Sequence, residues 1–342
     1  MTRFSRRPRK KSRWLLALGC LLLVSFGGEF ILEWLGFGSP ALVVQNSFTN
    51  YELRPEQNVV RRWPLSEDRV SRVKTNSLGM RADEISPNHP PGVLRIFFVG
   101  DSITYGTTQV DQSHIFTELV HHDLPGILHQ PVEVMNAAVG GWAIENELDF
   151  VKEHGVQQAD RVILCINSAD PSQSKSEFTS DGGLSTEEYP WPKGYRELFS
   201  RAISPMAFKL LLRFGIHWSA VHEVAVDPGV TTSNDSRTLD HNLHLLDEFQ
   251  SYVSSAHAKF SILYIPFIRE VADPKISEKG REAVKNWAAD HNVPFLYVST
   301  MYGAANLDDF TLRDHTHFNA LGNRMVANAI ERQWNVLTGA QH

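Results

Sequence analysis

A serine, a histidine and an aspartate stand in contexts that suit nucleophilic catalysis. Ser102 lies in Gly100-Asp101-Ser102-Ile103-Thr104-Tyr105-Gly106, directly after an apolar run at 93–99. On a tight turn after a buried strand its hydroxyl would be exposed, and its backbone N–H could face a developing oxyanion. The plain alternative is a serine that caps the next helix. A serine hydroxyl is a poor nucleophile near neutral pH; it needs a base, and the base needs an orienting acceptor. Asp314-His315-Thr316-His317 supplies both from one turn leading into a helix, as Asp314 and His317. His315 is the rival base, but it sits too close in sequence to Asp314 for a comfortable aspartate–histidine bond. Taken alone, Asp-x-x-His also occurs by chance on solvated loops. A third segment, Asn136-Ala137-Ala138-Val139-Gly140-Gly141-Trp142, ends in glycines that would let the backbone approach a reacting carbonyl and offer an N–H. A turn opening a helix would look the same.

These residues need elements to hold them. Apolar runs at 93–99, 132–138, 161–167, 260–267 and 295–300 read as buried strands. Between and after them, helical spacing appears at about 113–123, 143–154, 238–257, 277–291 and 319–336. Strands alternating with helices predict a parallel α/β sheet covered on both faces, with ligands bound at the carboxyl ends of its strands. Residues 39–91 are rich in Pro, Asn, Arg and Ser without sustained periodicity, and read as an extended preamble or linker. A stretch at about 171–240 interrupts the alternation and reads as an insertion near the mouth of the site.

Taken in this order and in this strand context, the three blocks resemble the SGNH, or GDSL, hydrolase superfamily of esterases and lipases, from about residue 92 to the C-terminus. The resemblance implies a three-layer α/β/α sandwich with a five-stranded parallel flavodoxin-like sheet. It implies Ser102 as nucleophile, His317 as base, Asp314 as its orienter, and no metal or organic cofactor. The oxyanion donors would be the N–H groups of Ser102 and Gly141, Gly140 being the less favoured register. One block departs from the pattern: the strand at 161–167 runs into Asn167-Ser168-Ala169-Asp170, with Ala169 where the family places an oxyanion asparagine. Asn167 is then the third donor, provided the turn is remodelled. Loss of one such donor typically costs about 10²–10³ in rate. Trp142, Tyr105 and Trp191 are the aromatic candidates for a substrate cleft, with packing in the core the alternative.

The expected activity is therefore that of a serine esterase on an acyl ester, through an acyl-enzyme. A sugar hydroxyl replacing water would make it an acyltransferase on envelope polysaccharide, and the Ala169 departure would also suit a non-catalytic carbohydrate-binding or assembly protein. The expected partner is an ester substrate on acylated polysaccharide or lipid. A net charge of −6 gives no reason to expect nucleic acid. The first thirteen residues hold seven Arg or Lys and no acid, and a charge-free apolar run at 14–28 follows. That pattern reads as a signal anchor over 1–38, basic end in the cytoplasm and catalytic domain outside; secretion after cleavage behind Gly27 is the alternative. His121, His122, His129, His241 and His244 read as surface residues, Asp308 and Asp309 as loop residues. Cys20 and Cys165 lack the spacing of a metal site.

Overall fold

Why the strands are continuous apolar runs is answered by their surroundings. The computed structural model describes residues 10–62, 68–178, 184–199, 236–273, 275–298, 307–312, 314 and 316–340. It contains α1 (Lys10–Trp34), β1 (Ala41–Asn46), β2 (Asn50–Leu53), β3 (Asn58–Arg62), β4 (Val70–Lys74), β5 (Leu94–Gly100) and α2 (Ser102–Tyr105). Then come α3 (Phe116–Leu128), β6 (Val132–Ala138), α4 (Ile144–His154), β7 (Arg161–Asn167), β8 (Leu184–Ser185) and α5 (Lys193–Leu198). After these follow α6 (Ser236–Ser255), β9 (Lys259–Ile265), α7 (Ile268–Ala272), α8 (Glu278–Asp290) and β10 (Phe295–Tyr297). The chain closes with α9 (Leu307–Phe310), α10 (Ala320–Arg332) and α11 (Trp334–Thr338).

By internal contacts the chain divides into one unit of Met1–Ser39 with Glu188–Val221 and another of Pro40–Glu187 with His222–His342. In the larger unit five strands form one parallel sheet in the order β10-β9-β7-β5-β6. Alternate residues of each strand face opposite layers. Phe97 and Val99 of β5 join Leu148 of α4, Phe249 of α6 and Trp287 of α8 on one side. Ile96 and Phe98 join Phe116 of α3 and Val326 and Ile330 of α10 on the other. With both faces covered, the middle of each strand is shut off from water and only positions such as Lys259 at an end are exposed, so the sequence shows nearly unbroken apolar runs rather than alternation. The expected three-layer α/β/α sandwich is the fold. In chain order the strands run 2-1-3-4-5 across the sheet, so the connections from the neighbouring strands β5 and β7 leave in opposite directions and open a crevice at their carboxyl ends.

The stretch at 39–91 is not an extended linker. It forms two hairpins, β1–β2 and β3–β4, and β1 also pairs in parallel with β8. Tyr51, Leu53, Val73 and Met80 are buried in the core. Tight turns spaced by short strands hide the periodicity on which a sequence reading depends. The segment also reaches the loops of the site. Tyr51 donates its hydroxyl to Gly140 O (2.9 Å) and accepts Trp142 Nε1–H at its own carbonyl (2.9 Å). Fully buried Arg81 donates to the carbonyls of Tyr105 and Val110, at 2.8 Å each, and of Thr107, and its guanidinium lies 5.0 Å from the Tyr105 ring.

The insertion expected at 171–240 is divided. Residues 171–178 and β8 belong to the larger unit, α5 belongs with α1, and 179–183 and 200–235 lie outside the described residues. In the smaller unit α1 runs unbroken past Glu29 to Trp34. Its residues Trp14–Trp34, with a window of mean hydropathy 2.2 inside them, are long and apolar enough to cross a membrane.

Arg81 carries a stability prediction. Removing its guanidinium strands three buried carbonyls, each costing about 1–3 kcal/mol. Arg81→Ala should therefore lower the urea-unfolding free energy by about 3 kcal/mol or more. Arg81→Lys should recover only part, because an ammonium lacks the planar fork.

Candidate active site

The turn that carries Ser102 begins where β5 ends. Asp101 caps α2, its Oδ1 accepting Ile103 N–H at 3.0 Å. Gly106 closes the turn at φ 80°, a left-handed conformation that a side chain would strain, and donates its N–H to Ser102 O at 3.0 Å. This leaves Ser102 partly exposed at the carboxyl edge of the sheet.

From the far end of the chain comes the second loop. Thr311 and Phe318 form an isolated antiparallel bridge, and Leu312 N–H donates to His317 O at 2.8 Å. Phe310 and Phe318 are buried beneath it. Asn319 caps α10 by accepting Gly322 N–H at 3.0 Å and donates to Asp309 O at 3.0 Å. Within the loop Asp314 Oδ1 accepts the N–H groups of Thr316 (2.9 Å) and His317 (3.0 Å). Its Oδ2 lies 2.8 Å from His317 Nδ1, and His317 Nε2 lies 2.9 Å from Ser102 Oγ. With Nδ1–H donating to the carboxylate, Nε2 is left to accept the serine proton. Burial works to raise the Asp314 carboxyl, but the hydrogen bond and charge of His317 and the two N–H groups outweigh it and hold it down at about 2. Asp314 therefore stays ionised across the working pH range. Its stabilising contribution is present above the usual carboxylate range and lost only as pH falls through about 2. His315 lies outside the described residues.

The glycine turn after β6 lies beside the serine. A Cβ placed on Gly140 would sit 3.9 Å from Ser102 Cβ. Gly141 adopts φ 85°, and a Cβ there would approach the Tyr51 hydroxyl to 3.1 Å. The Gly141 carbonyl accepts from Gln173 Nε2 at 3.1 Å, which fixes the peptide plane that follows.

Asn167 has work other than that of the expected third donor. It is buried, and its Nδ2 donates to Asp101 Oδ2 at 2.6 Å while its Oδ1 accepts Ala169 N–H at 2.6 Å. Its own N–H donates to Asp170 Oδ2 at 2.7 Å. The amide thus braces the carboxylate next to Ser102 through one of its two Nδ2–H groups, a positioning role beside the expected oxyanion one. Ser168 extends the brace, accepting Phe267 N–H at 2.7 Å and donating to buried Glu270, which also binds Arg281. Two aromatic candidates are corrected. Tyr105 is 2% exposed and Trp142 1%, so both are core and neither lines an open cleft. Trp191 belongs to the smaller unit, with its ring 5.3 Å from Phe26.

A feature that carries no sequence motif lies under the site. Asp101, Glu147 and Asp170 are all buried and within electrostatic reach of one another. Burial raises Asp101, partly offset by the Ile103 N–H and the His317 charge. Burial and the charges of Asp170 and Asp101 push Glu147 well up, and neither of its oxygens has a hydrogen-bond partner among the described residues. Burial and the charge of Asp101 likewise push Asp170 well up. Glu147 is therefore held as the neutral acid. A glutamate spaced as a core residue on α4 is the only sequence signal for it. For a metal, the described residues offer Glu52, Glu153 and His154, whose ligand atoms lie within 4.8 Å of one another. They already satisfy one another: His154 Nε2 meets Glu52 Oε2 at 3.0 Å, and Asn46 Nδ2 bonds both carboxylates at 3.0 Å.

With this geometry in place, comparison with known proteins fixes the class. Residues 98–325 match the GDSL-like lipase/acylhydrolase family, and the chain belongs to that family. In general terms it is an esterase-type hydrolase, with the SGNH fold. Among solved structures it is similar to TesA, with 14% identity and a TM-score of 0.44 over 72% of this chain and 98% of that one. It is similar to a catalytic mutant of Axe2, an acetylxylan esterase from Geobacillus stearothermophilus (14%, TM-score 0.42, 70% of this chain and 93% of that one). It is also similar to the psychrotrophic esterase EstA from Pseudoalteromonas sp. (12%, TM-score 0.42, 70% and 97%). No curated protein sequence matches the chain.

Glu147 gives a prediction with a definite sign. Its folded pKa lies above the unfolded one, so the folded state holds the proton longer and loses stability as pH rises above the unfolded value. Glu147→Gln removes the titration. Its melting temperature should exceed that of the wild type by a few degrees at about pH 8, since about 1 kcal/mol moves a domain of this size by about 2–4 °C. The difference should shrink toward about pH 4, near the usual glutamate pKa. Thermal unfolding of the pair across pH reads this directly.

Proposed function

We propose that the protein is a serine esterase acting on acyl esters, with short acyl groups such as acetyl favoured, outside the cytoplasm. The observation that carries this is the continuous relay from Asp314 through His317 to Ser102, at 2.8 and 2.9 Å, at the carboxyl end of a central parallel strand. Ser102 Oγ attacks the ester carbonyl and His317 Nε2 takes its proton. The resulting imidazolium faces the Asp314 carboxylate, whose low pKa keeps it charged for that purpose. The N–H groups of Ser102 and Gly141 hold the oxyanion, and Gly140 and Gly141 add no side chain of their own to that corner. His317 then returns the proton to the leaving alcohol. Water, deprotonated by the same imidazole, releases the acyl group.

Ala169 offers no side-chain amide and Asn167 has one of its two Nδ2–H groups committed to Asp101, which makes this a slower catalyst than its fold allows. Its location rests on the basic N-terminus followed by the 21-residue apolar helix, which we read as a signal anchor leaving the catalytic unit on the outer face. Envelope polysaccharide or lipid carrying acyl groups is the substrate class that position favours.

Hydrolysis of p-nitrophenyl acetate and butyrate by the full chain tests the reading. Ser102→Ala should reduce kcat/KM to background, and Asp314→Asn should reduce kcat by about 10³–10⁴ with little change in KM. A folded Ser102→Ala variant as active as the wild type would end the serine-esterase reading.

A further inference from the structure

The smaller unit is built in a way that an anchor helix alone does not require. α5 is clasped to the end of α1 from both sides. Glu29, on α1 and 2% exposed, accepts the backbone N–H of Gly194 at 2.7 Å and of Tyr195 at 3.0 Å. Glu197, on α5 and fully buried, accepts the N–H of Gly38 in the turn after α1. Glycines make the approach close. The Tyr195 hydroxyl occupies the space a side chain at Gly28 would need, Leu32 packs where a Gly194 side chain would stand, and Lys193 covers Gly38. The Phe26 ring meets those of Phe30 at 5.7 Å and Trp191 at 5.3 Å, both at a tilt.

What this clasp presents outward is aromatic and cationic. Trp191 is 59% and Phe199 61% exposed, continuous through Phe26 with the exposed apolar surface of α1. Arg196 is also exposed, whereas the one acid of α5 is turned inward onto Gly38. Resting on the reading of α1 as a membrane span, we infer that residues 191–199 form an interfacial foot, seated in the headgroup–acyl boundary of the outer leaflet.

Depth is set by Glu29. A span of Trp14–Trp34 at 1.5 Å per residue is about 31 Å long, the thickness of a hydrocarbon core. Glu29 then lies about 7–8 Å inside its outer end. A carboxylate at that depth is costly unless paired, and here the N–H groups of α5 pair it. That bond carries 194–195 to the same depth, with Trp191 and Tyr195 in the zone that tryptophan and tyrosine prefer and Arg196 within reach of lipid phosphate. Anionic lipid therefore suits the exposed face better than a second copy of the chain, whose own foot would present the same Arg196 charge.

The test is depth-resolved quenching of the full chain in phosphatidylcholine/phosphatidylglycerol vesicles. A Cys20→Ser background carries either Phe199→Cys or, as the reference for the span, Leu23→Cys, each labelled with an environment-sensitive fluorophore; Cys165 is buried and stays unlabelled. The foot predicts a blue-shifted label at 199 that is quenched by spin-labelled lipid near the headgroup and protected from aqueous iodide. The label at 23 should be quenched by spin label near the bilayer centre. A label at 199 that is open to iodide while that at 23 stays buried would overturn the foot and leave the anchor standing. Loss of lipid quenching at 23 would overturn both. Protection of 199 from both quenchers, relieved on diluting the protein in the bilayer, would assign the face to a second copy of the chain instead.

Discussion

A hydrogen bond of 2.9 Å joins Ser102 and His317, side chains 215 positions apart in the chain, and the larger unit is arranged so that it can form. The serine is fixed from one side by β5, the central strand whose residues are buried on both faces. The histidine is fixed from the other by a short loop between buried Phe310 and Phe318, closed by the Asn319 cap of α10. α10 packs on the same layer as α3, and α3 follows the Ser102 turn, so one hydrophobic layer carries both halves of the relay. Holding them by packing rather than by flexible polar links keeps the pair within the narrow distances that proton transfer needs.

Around that contact the structure confines unusual electrostatics. Asp101, immediately before Ser102, is buried and kept in place by Ile103 N–H and the Asn167 amide. Asn167 in turn is held by Asp170, while Glu147 completes a group of acids that cannot all be ionised so close together in a poorly solvated interior. A neutral Glu147 beneath a charged relay is the arrangement with the least repulsion. The same bonds show what occupies Asn167: its Nδ2–H donates to Asp101, its Oδ1 accepts the Ala169 N–H, and its backbone N–H donates to Asp170.

Much of this was legible from the residues. The five strands carry a strong local signature, because a strand buried on both faces reads as an unbroken apolar run, whereas Ser102, Asp314 and His317 stand out only through the order of their blocks, Asp-x-x-His being weak by itself. The preamble did not, since Tyr51 and Arg81 act through long-range bonds from short strands that have no period to read. Tyr105 and Trp142 looked like cleft residues for the same reason: their neighbours in the chain say nothing about the core they pack into. The role of Glu29 was also hidden, because its partner N–H groups lie on α5, more than 160 residues away in sequence. What Ala169 removes was visible at once, and the brace that Asn167 forms was not.

The most direct test of the central claim is covalent. The full chain is incubated with an alkyl fluorophosphonate, digested, and its peptides weighed by mass spectrometry, beside a His317→Ala variant. The account predicts one adduct per chain, on Ser102, formed by the wild type and lost or greatly slowed in the variant. A folded wild type left unlabelled, or labelled at Ser102 equally fast without His317, would contradict it.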